Sequence, residues 1–463
     1  MSNRPINNIV DKKRDMYLDR RIFIASCIFF FAALINPRDF PIQNVPLIYP
    51  AFLFFAILIG PHRVLQGFRR TKFLCIILSS YWFYFNILRL VKGHTIILGS
   101  FAYLLEPLLI FAAAGAVTIR PGSTKAALWA LVSMVTLSTA CGVWIYFIGE
   151  PVASWRSALQ GSIGGNILQG EFIRDVDYKI DIAAVFGRNA GLSLYIFLFS
   201  YQLSVALLIT LIALFSTKHS LNKKYLSLWG VFIILFLGLI TNAERAIVLS
   251  VPVGLISFFI IKGVNINKLR VISTFIFCVI FVLVLLKYSS AWIESYTVPE
   301  FYTVHERSIH ERSISKEKIT LRAYMPIVAV GTVLFEPLGA AGLAKNYVDV
   351  ASRKGWVAFD GRIKSSHNHL TNVIMYTGVF GVLLVVLLFR CLWKKIKYVR
   401  LSSFDYEEGI LASACVTSLV HSMTHNSGFF TLEPGTLIVF GLLWGATFVT
   451  KNDRLHKNIQ RYQ

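Results

Sequence analysis

Apolar residues gather in long runs along this chain, with short polar stretches between them. The pattern predicts membrane-crossing helices rather than the one-sided stripes of soluble ones. Twelve runs stand out, near residues 22–36, 46–60, 73–91, 95–119, 126–148, 190–216, 226–241, 246–261, 271–286, 370–389, 410–425 and 428–449. A helix needs about 20 residues to cross ~30 Å of hydrocarbon, so the shorter runs set only approximate ends. The seventh and eighth are separated by Thr241-Asn242-Ala243-Glu244-Arg245 and predict a tight helical hairpin. The expected fold class is an all-α polytopic membrane protein with about 12 transmembrane helices and one large loop. No internal repeat of the kind that marks many transporters is visible.

Composition narrows the class. The 463 residues are 56% apolar and only 15% charged, against ~25% charged in an ordinary soluble domain. An aromatic content of 14% argues against disorder. All six cysteines (Cys27, Cys75, Cys141, Cys278, Cys391 and Cys415) fall in or beside apolar runs. Neither a disulfide framework nor a zinc knuckle can be read from them.

The net charge of +22 is mostly a matter of orientation. Of 46 Lys and Arg, 27 lie in the segments 1–21, 61–72, 120–125, 217–225, 262–270, 390–400 and 451–463. Of the other 19, 11 lie in one long loop, 287–368. Long loops are weak topology signals, so the short ones decide. Both termini are expected in the cytoplasm and the long loop outside. The basic start of the chain is like a signal-peptide n-region, but no small-residue cleavage site closes the first run, which is therefore read as a retained span. The cytoplasmic charge suits anionic lipid. It is too dispersed to form a nucleic-acid face.

Positive-inside topology does not account for the outward basic residues. Arg188 lies in Phe186-Gly187-Arg188-Asn189-Ala190-Gly191, before the sixth run. Arg245 follows Glu244 in the hairpin turn. Arg322 opens Leu321-Arg322-Ala323-Tyr324-Met325-Pro326, and His367-Asn368-His369-Leu370 closes the long loop. Taken singly, each has an ordinary reading: arginines at a membrane boundary anchor to lipid phosphate, and a histidine at a loop–helix junction caps. The His-x-His spacing lacks a third ligand nearby, so no metal is expected. Within the apolar runs, Glu106 needs a buried partner. His421, His425, Asn426 and Glu433 read first as helix-packing contacts and second as lining of a substrate cavity.

Together the outward residues resemble a known pattern. His367-Asn368-His369-Leu370 runs on to Gly378-Val379-Phe380-Gly381, and the two arginine elements precede it in order. This arrangement is similar to the O-antigen ligase/polymerase superfamily of bacterial envelope enzymes, over roughly residues 180–450. Two departures are visible: Leu192-Ser193 follows Gly191 where Pro-Asn is usual, and Glu244 precedes Arg245 where serine is common. The resemblance implies a GT-C-like fold in the bacterial inner membrane, with the active site on the periplasmic side. On that reading residues 1–21 are a cytoplasmic tail and 22–286 hold helices one to nine. Residues 287–369 form a periplasmic loop carrying the catalytic motif, 370–449 hold the last three helices, and 450–463 are a second cytoplasmic tail.

The implied activity is transfer of an undecaprenyl-diphosphate-linked glycan to an acceptor sugar hydroxyl, extending a polysaccharide. The donor is already activated, so no cofactor and no metal are implied. His367 is the implied general base. Arg188, Arg245 and Arg322 are the implied diphosphate clamp, since arginine binds phosphate oxygens in a bidentate fork. Asn368 is expected to orient the histidine or a sugar, and His369 to face away from the site. Implied partners are the lipid-linked glycan, membrane lipid, a flippase and chain-length regulators. Two other readings stay open: an O-antigen ligase that moves the chain to lipid A–core, and a transporter of the same lipid-linked glycan.

Overall fold

In the computed structural model every described apolar run lies on a helix. The structure describes residues 4–35, 46–93, 100–119, 123–148, 189, 191–193, 196–216, 223–242, 244–263, 326, 330–334, 336–340, 368–401, 406–425, 428–431 and 433–446. Among these the helices are α1 (Arg4–Ile35), α2 (Ile48–Ile59), α3 (Pro61–Val91), α4 (Ser100–Val117), α5 (Ser123–Ile148) and α6 (Ile196–Ser216). They continue with α7 (Lys223–Asn242), α8 (Arg245–Lys262), α9 (His369–Leu401), α10 (Tyr406–Ser422) and α11 (Pro434–Ala446). Short 3₁₀ turns occupy Thr332–Leu334 and Phe429–Thr431. The described residues include no strand.

Among the described residues, five stretches are long and apolar enough to cross a membrane: Pro61–Val91, Ser123–Trp144, Leu198–Ser216, Tyr225–Asn242 and His369–Arg400. The protein is thus an all-α chain of membrane type. Four shorter apolar helical stretches, Ile48–Ile59, Leu104–Val117, Ala246–Lys262 and Pro434–Ala446, pack with them. The ninth predicted run, 271–286, lies outside the described residues. One expectation changes. Residues 61–72, expected as a cytoplasmic loop, are the first turns of α3, which Pro61 opens after Gly60 turns the chain at φ 97°. The N-terminal tail is helical from Arg4 and continuous with the first span.

Large apolar side chains such as Ile57, Ile76, Ile87, Ile260 and Trp393 point outward, while Ser26, Ser204, Thr210 and Thr417 are buried. A lipid-facing surface and a partly polar interior suit a membrane solvent, where small residues and polar contacts hold helices together. The α3–α4 pair packs backbone on backbone. A Cβ on Gly115 would stand 2.6 Å from the Gly67 carbonyl oxygen, and one on Gly445 would stand 2.8 Å from Gly115 Cα. The alanine-rich stretch of α4 is thereby held between α3 and α11.

One helix is broken. Within α9, Gly378 has φ 62° and ψ −139°. Residues 336–340 of the long loop dock at this break: Ala340 N donates to Met375 O and Val379 N donates to Pro337 O, each at 2.9 Å. Lys92, at the end of α3, holds the same segment through Glu336 Oε2 and Gly339 O, both at 2.7 Å. Tyr84 adds a bond to Leu338 O at 3.0 Å.

Candidate functional site

The start of α9 is set by its own sequence. Asn368 Oδ1 accepts hydrogen bonds from Leu370 N at 3.1 Å and Thr371 N at 3.2 Å. Asparagine is among the best N-caps because its side chain replaces the missing turn. That oxygen is therefore engaged by the helix. The next residue, His369, is fully buried. Its Nε2 accepts a hydrogen bond from Phe430 N at 3.0 Å, so Nδ1 carries the proton in the neutral ring. A Cβ on Gly428 would stand 2.9 Å from Ser422 Cβ and would also meet the His369 ring. His369 thus ties α9 to the α10–α11 connection.

The α7–α8 turn receives the segment that follows Arg188. Asn189 N donates to Thr241 O at 3.0 Å, and its Nδ2 donates to Thr241 Oγ1 at 2.9 Å. Asn242 Nδ2 returns a bond to Asn189 O at 2.7 Å. Asn189 Oδ1 closes the Gly191 turn, accepting from Gly191 N at 2.7 Å. Nearby, Gln202 on α6 donates to Leu34 O at 3.0 Å and accepts from Ser193 at 3.1 Å, so the end of α1 joins the same layer.

The two histidines of α10 differ in setting. His421 is fully buried, with Ser200 Oγ 3.0 Å from Nε2 and Ser250 Oγ 3.4 Å from Nδ1. Tyr201 packs on its ring at a centroid distance of 4.0 Å. His425, just past the helix, stacks on His421 at 5.0 Å and places Nε2 3.4 Å from Glu244 Oε1. Glu433 caps α11: Oε1 accepts from Gly435 N at 2.9 Å and Oε2 accepts from Thr436 N. A carboxylate suits that position because helix N-termini carry positive partial charge.

The structure therefore sets His425 against the turn that precedes Arg245, with His421 stacked on it and Tyr201 within electrostatic reach of both Glu244 and Glu433, while Asn368 caps α9. His367, Arg188, Arg322 and Asn426 lie outside the described residues, as does the side chain of Arg245. Among the described residues, no three His, Cys, Asp or Glu side chains gather as a metal-ligand set. Sequence reading passed over Ser200, Tyr201, Gln202, Asn189 and Ser250. The run Ser200-Tyr201-Gln202 inside an apolar span was the available signal, because intramembrane polar groups need partners.

What these elements define is a class: an all-α membrane protein with a layer of buried polar side chains at one end of its helices. No protein-family model matches the chain, and no curated protein matches it either.

Proposed function

We propose that this chain is an inner-membrane glycosyltransferase that moves an undecaprenyl-diphosphate-linked glycan to an acceptor sugar hydroxyl on the periplasmic face. One observation carries the reading. Two motif-bearing segments far apart in sequence meet, and a third reaches the α10–α11 connection. Asn189 docks on Thr241 and Asn242, and Glu244, adjacent to Arg245, meets His425. In the third, His369, adjacent to Asn368, accepts a hydrogen bond from Phe430 N.

The chemistry assigns each segment a task. The acceptor oxygen attacks the anomeric carbon as the bond from that carbon to the diphosphate oxygen breaks, and the electron pair leaves with the diphosphate. His367 takes the hydroxyl proton. Arg188, Arg245 and Arg322 stabilise the charge gathering on the diphosphate, where preorganised cations act most strongly. Inverting attack follows from a single displacement. Extension of a lipid-linked repeat is the favoured outcome; transfer to lipid A–core uses the same chemistry with a different acceptor.

The test is the ladder of glycan chain lengths made by cells carrying His367→Ala or Arg245→Lys. Loss of a general base is expected to slow transfer by about 10²–10⁴-fold. Arg245→Lys keeps the charge but loses the bidentate fork, so donor binding weakens as well. A polymerase variant leaves single repeats, and a ligase variant leaves long chains on the lipid carrier. A normal ladder from well-expressed His367→Ala protein would overturn the assignment. The break in α9 favours a second reading, a transporter of the same lipid, since discontinuous helices form carrier sites. Transfer by the purified protein distinguishes the two.

A further inference from the structure

The outward side of α9 changes character along its length. Beyond the break at Gly378, the side chains of Val379, Leu383, Val386 and Trp393 are 58%, 51%, 54% and 68% exposed. Steps of four, three and seven residues keep them on one helix face. Arg390, Lys397 and Arg400 fall in the same register, Lys394 lies one position beside it, and all four are exposed. The face that meets hydrocarbon thus turns cationic toward the end of the helix. The start of α3 repeats the pattern: the exposed Arg69 and Lys72 continue the face of Ile76, Phe83 and Ile87. Both ends reach α11, where Arg70 donates to Gly445 O at 2.9 Å and Lys395 Nζ lies 5.5 Å from the centre of the Trp444 ring.

Neither α3 nor α9 contains an Asp or Glu. The acids that open α10, Glu407 and Glu408, are half-buried and buried. Glu408 lies within electrostatic reach of Lys395, the lysine that faces α11 and stands apart from the exposed row. Like charges three and four residues apart destabilise a helix. Arg390, Lys394, Lys397 and Arg400 follow one another at those spacings, along ~15 Å of helix axis. What offsets such a row is an anion at the edge of the hydrocarbon, carried on an apolar tail that lies against the same face.

We propose that this face of α9, with the start of α3, is a binding site for the phosphate headgroups of anionic phospholipid, and that it selects such lipid over zwitterionic lipid. Arginine and lysine stems lie along apolar surface while their charged heads reach the phosphate layer. Basic sites among membrane helices take anionic headgroups in this way. Trp393, among the cations, sets the depth, because tryptophan favours the headgroup level. Scattered cations would anchor to any phosphate. A row on one face with no acid in its helix distinguishes between lipids, since a zwitterionic headgroup brings its own cation and leaves the row uncompensated. The site does not depend on the transfer chemistry.

The experiment places the full-length protein in phosphatidylcholine nanodiscs doped with brominated phosphatidylglycerol or brominated phosphatidylcholine. Quenching of Trp393 fluorescence is read as the difference between wild type and Trp393→Phe. Brominated phosphatidylglycerol is expected to quench at a mole fraction at least about fivefold lower than brominated phosphatidylcholine, as for ~1 kcal/mol from one basic residue near an anionic surface. The triple variant Arg390→Gln/Lys394→Gln/Lys397→Gln should bring the two lipids within about twofold of each other. Lys125→Gln, which removes the single charge of α5, should leave the preference intact. Equal quenching by the two lipids in wild type overturns the inference and leaves the face to an acidic protein segment. A preference that survives the triple variant overturns it too. So does a preference that Lys125→Gln removes as fully, because net charge then explains the selection. If the triple variant does not fold, Lys394→Gln and Lys397→Gln decide singly: each should reduce the preference, and no change in either overturns the inference.

Discussion

Replacing Gly378 by alanine tests the broken helix directly. The residue has φ 62° and ψ −139°, a region that essentially only glycine occupies and that costs other residues about 1–3 kcal/mol. An added Cβ would stand 2.6 Å from Gly339 N and would also meet Pro337 O. Residues 337–340 must then leave the break, and two backbone hydrogen bonds go with them, Ala340 N to Met375 O and Val379 N to Pro337 O. Each contributes about 0.5–1.5 kcal/mol net. The combined loss is roughly 4 kcal/mol, a large share of the 5–15 kcal/mol that holds a typical protein folded. The assay is unfolding of purified Gly378→Ala protein in detergent, with Gly230→Ala as control. Gly230 lies in α7, and a Cβ there meets nothing within 4 Å. The control should be neutral or more stable by about 0.5–1 kcal/mol, the ordinary helical preference for alanine. Equal stability of Gly378→Ala and wild type would refute the break and the docking of the loop against it.

Three further outcomes are expected. His369→Ala removes the acceptor for Phe430 N and should cost about 1–3 kcal/mol for the orphaned group, read as lower thermal stability with transfer per folded molecule largely kept. Asn368→Ala should lose about 1 kcal/mol of capping, and Asn368→Asp should retain it, checked in the same unfolding assay. Lys92 and Glu336 are 27% and 22% exposed, so a double-mutant cycle of Lys92→Met with Glu336→Gln should give a coupling of about 1 kcal/mol or less that shrinks with salt.

Hydropathy belongs to each segment separately, and what depends on it was legible in the sequence. The apolar runs placed the helices, because lipid demands that a crossing segment be apolar along its own length. The helices α7 and α8 followed from two apolar runs separated by a short polar turn, and α9 begins just after Asn368 because a cap is a contact between near neighbours. The short loop 61–72 misled because its basic residues look the same at a helix start as in a turn; the turn sits earlier, at Gly60. The polar pairings needed the tertiary structure. His369 and Phe430, His425 and Glu244, and Asn189 and Thr241 meet only after helices distant in sequence have packed. The same holds for Gly378, which reads as part of an apolar span until residues 337–340 bond into it. A buried polar group is stabilised by whatever partner the packed bundle sets against it. Its sequence neighbours carry no record of that partner, and for this protein the tertiary structure decided each of these pairs.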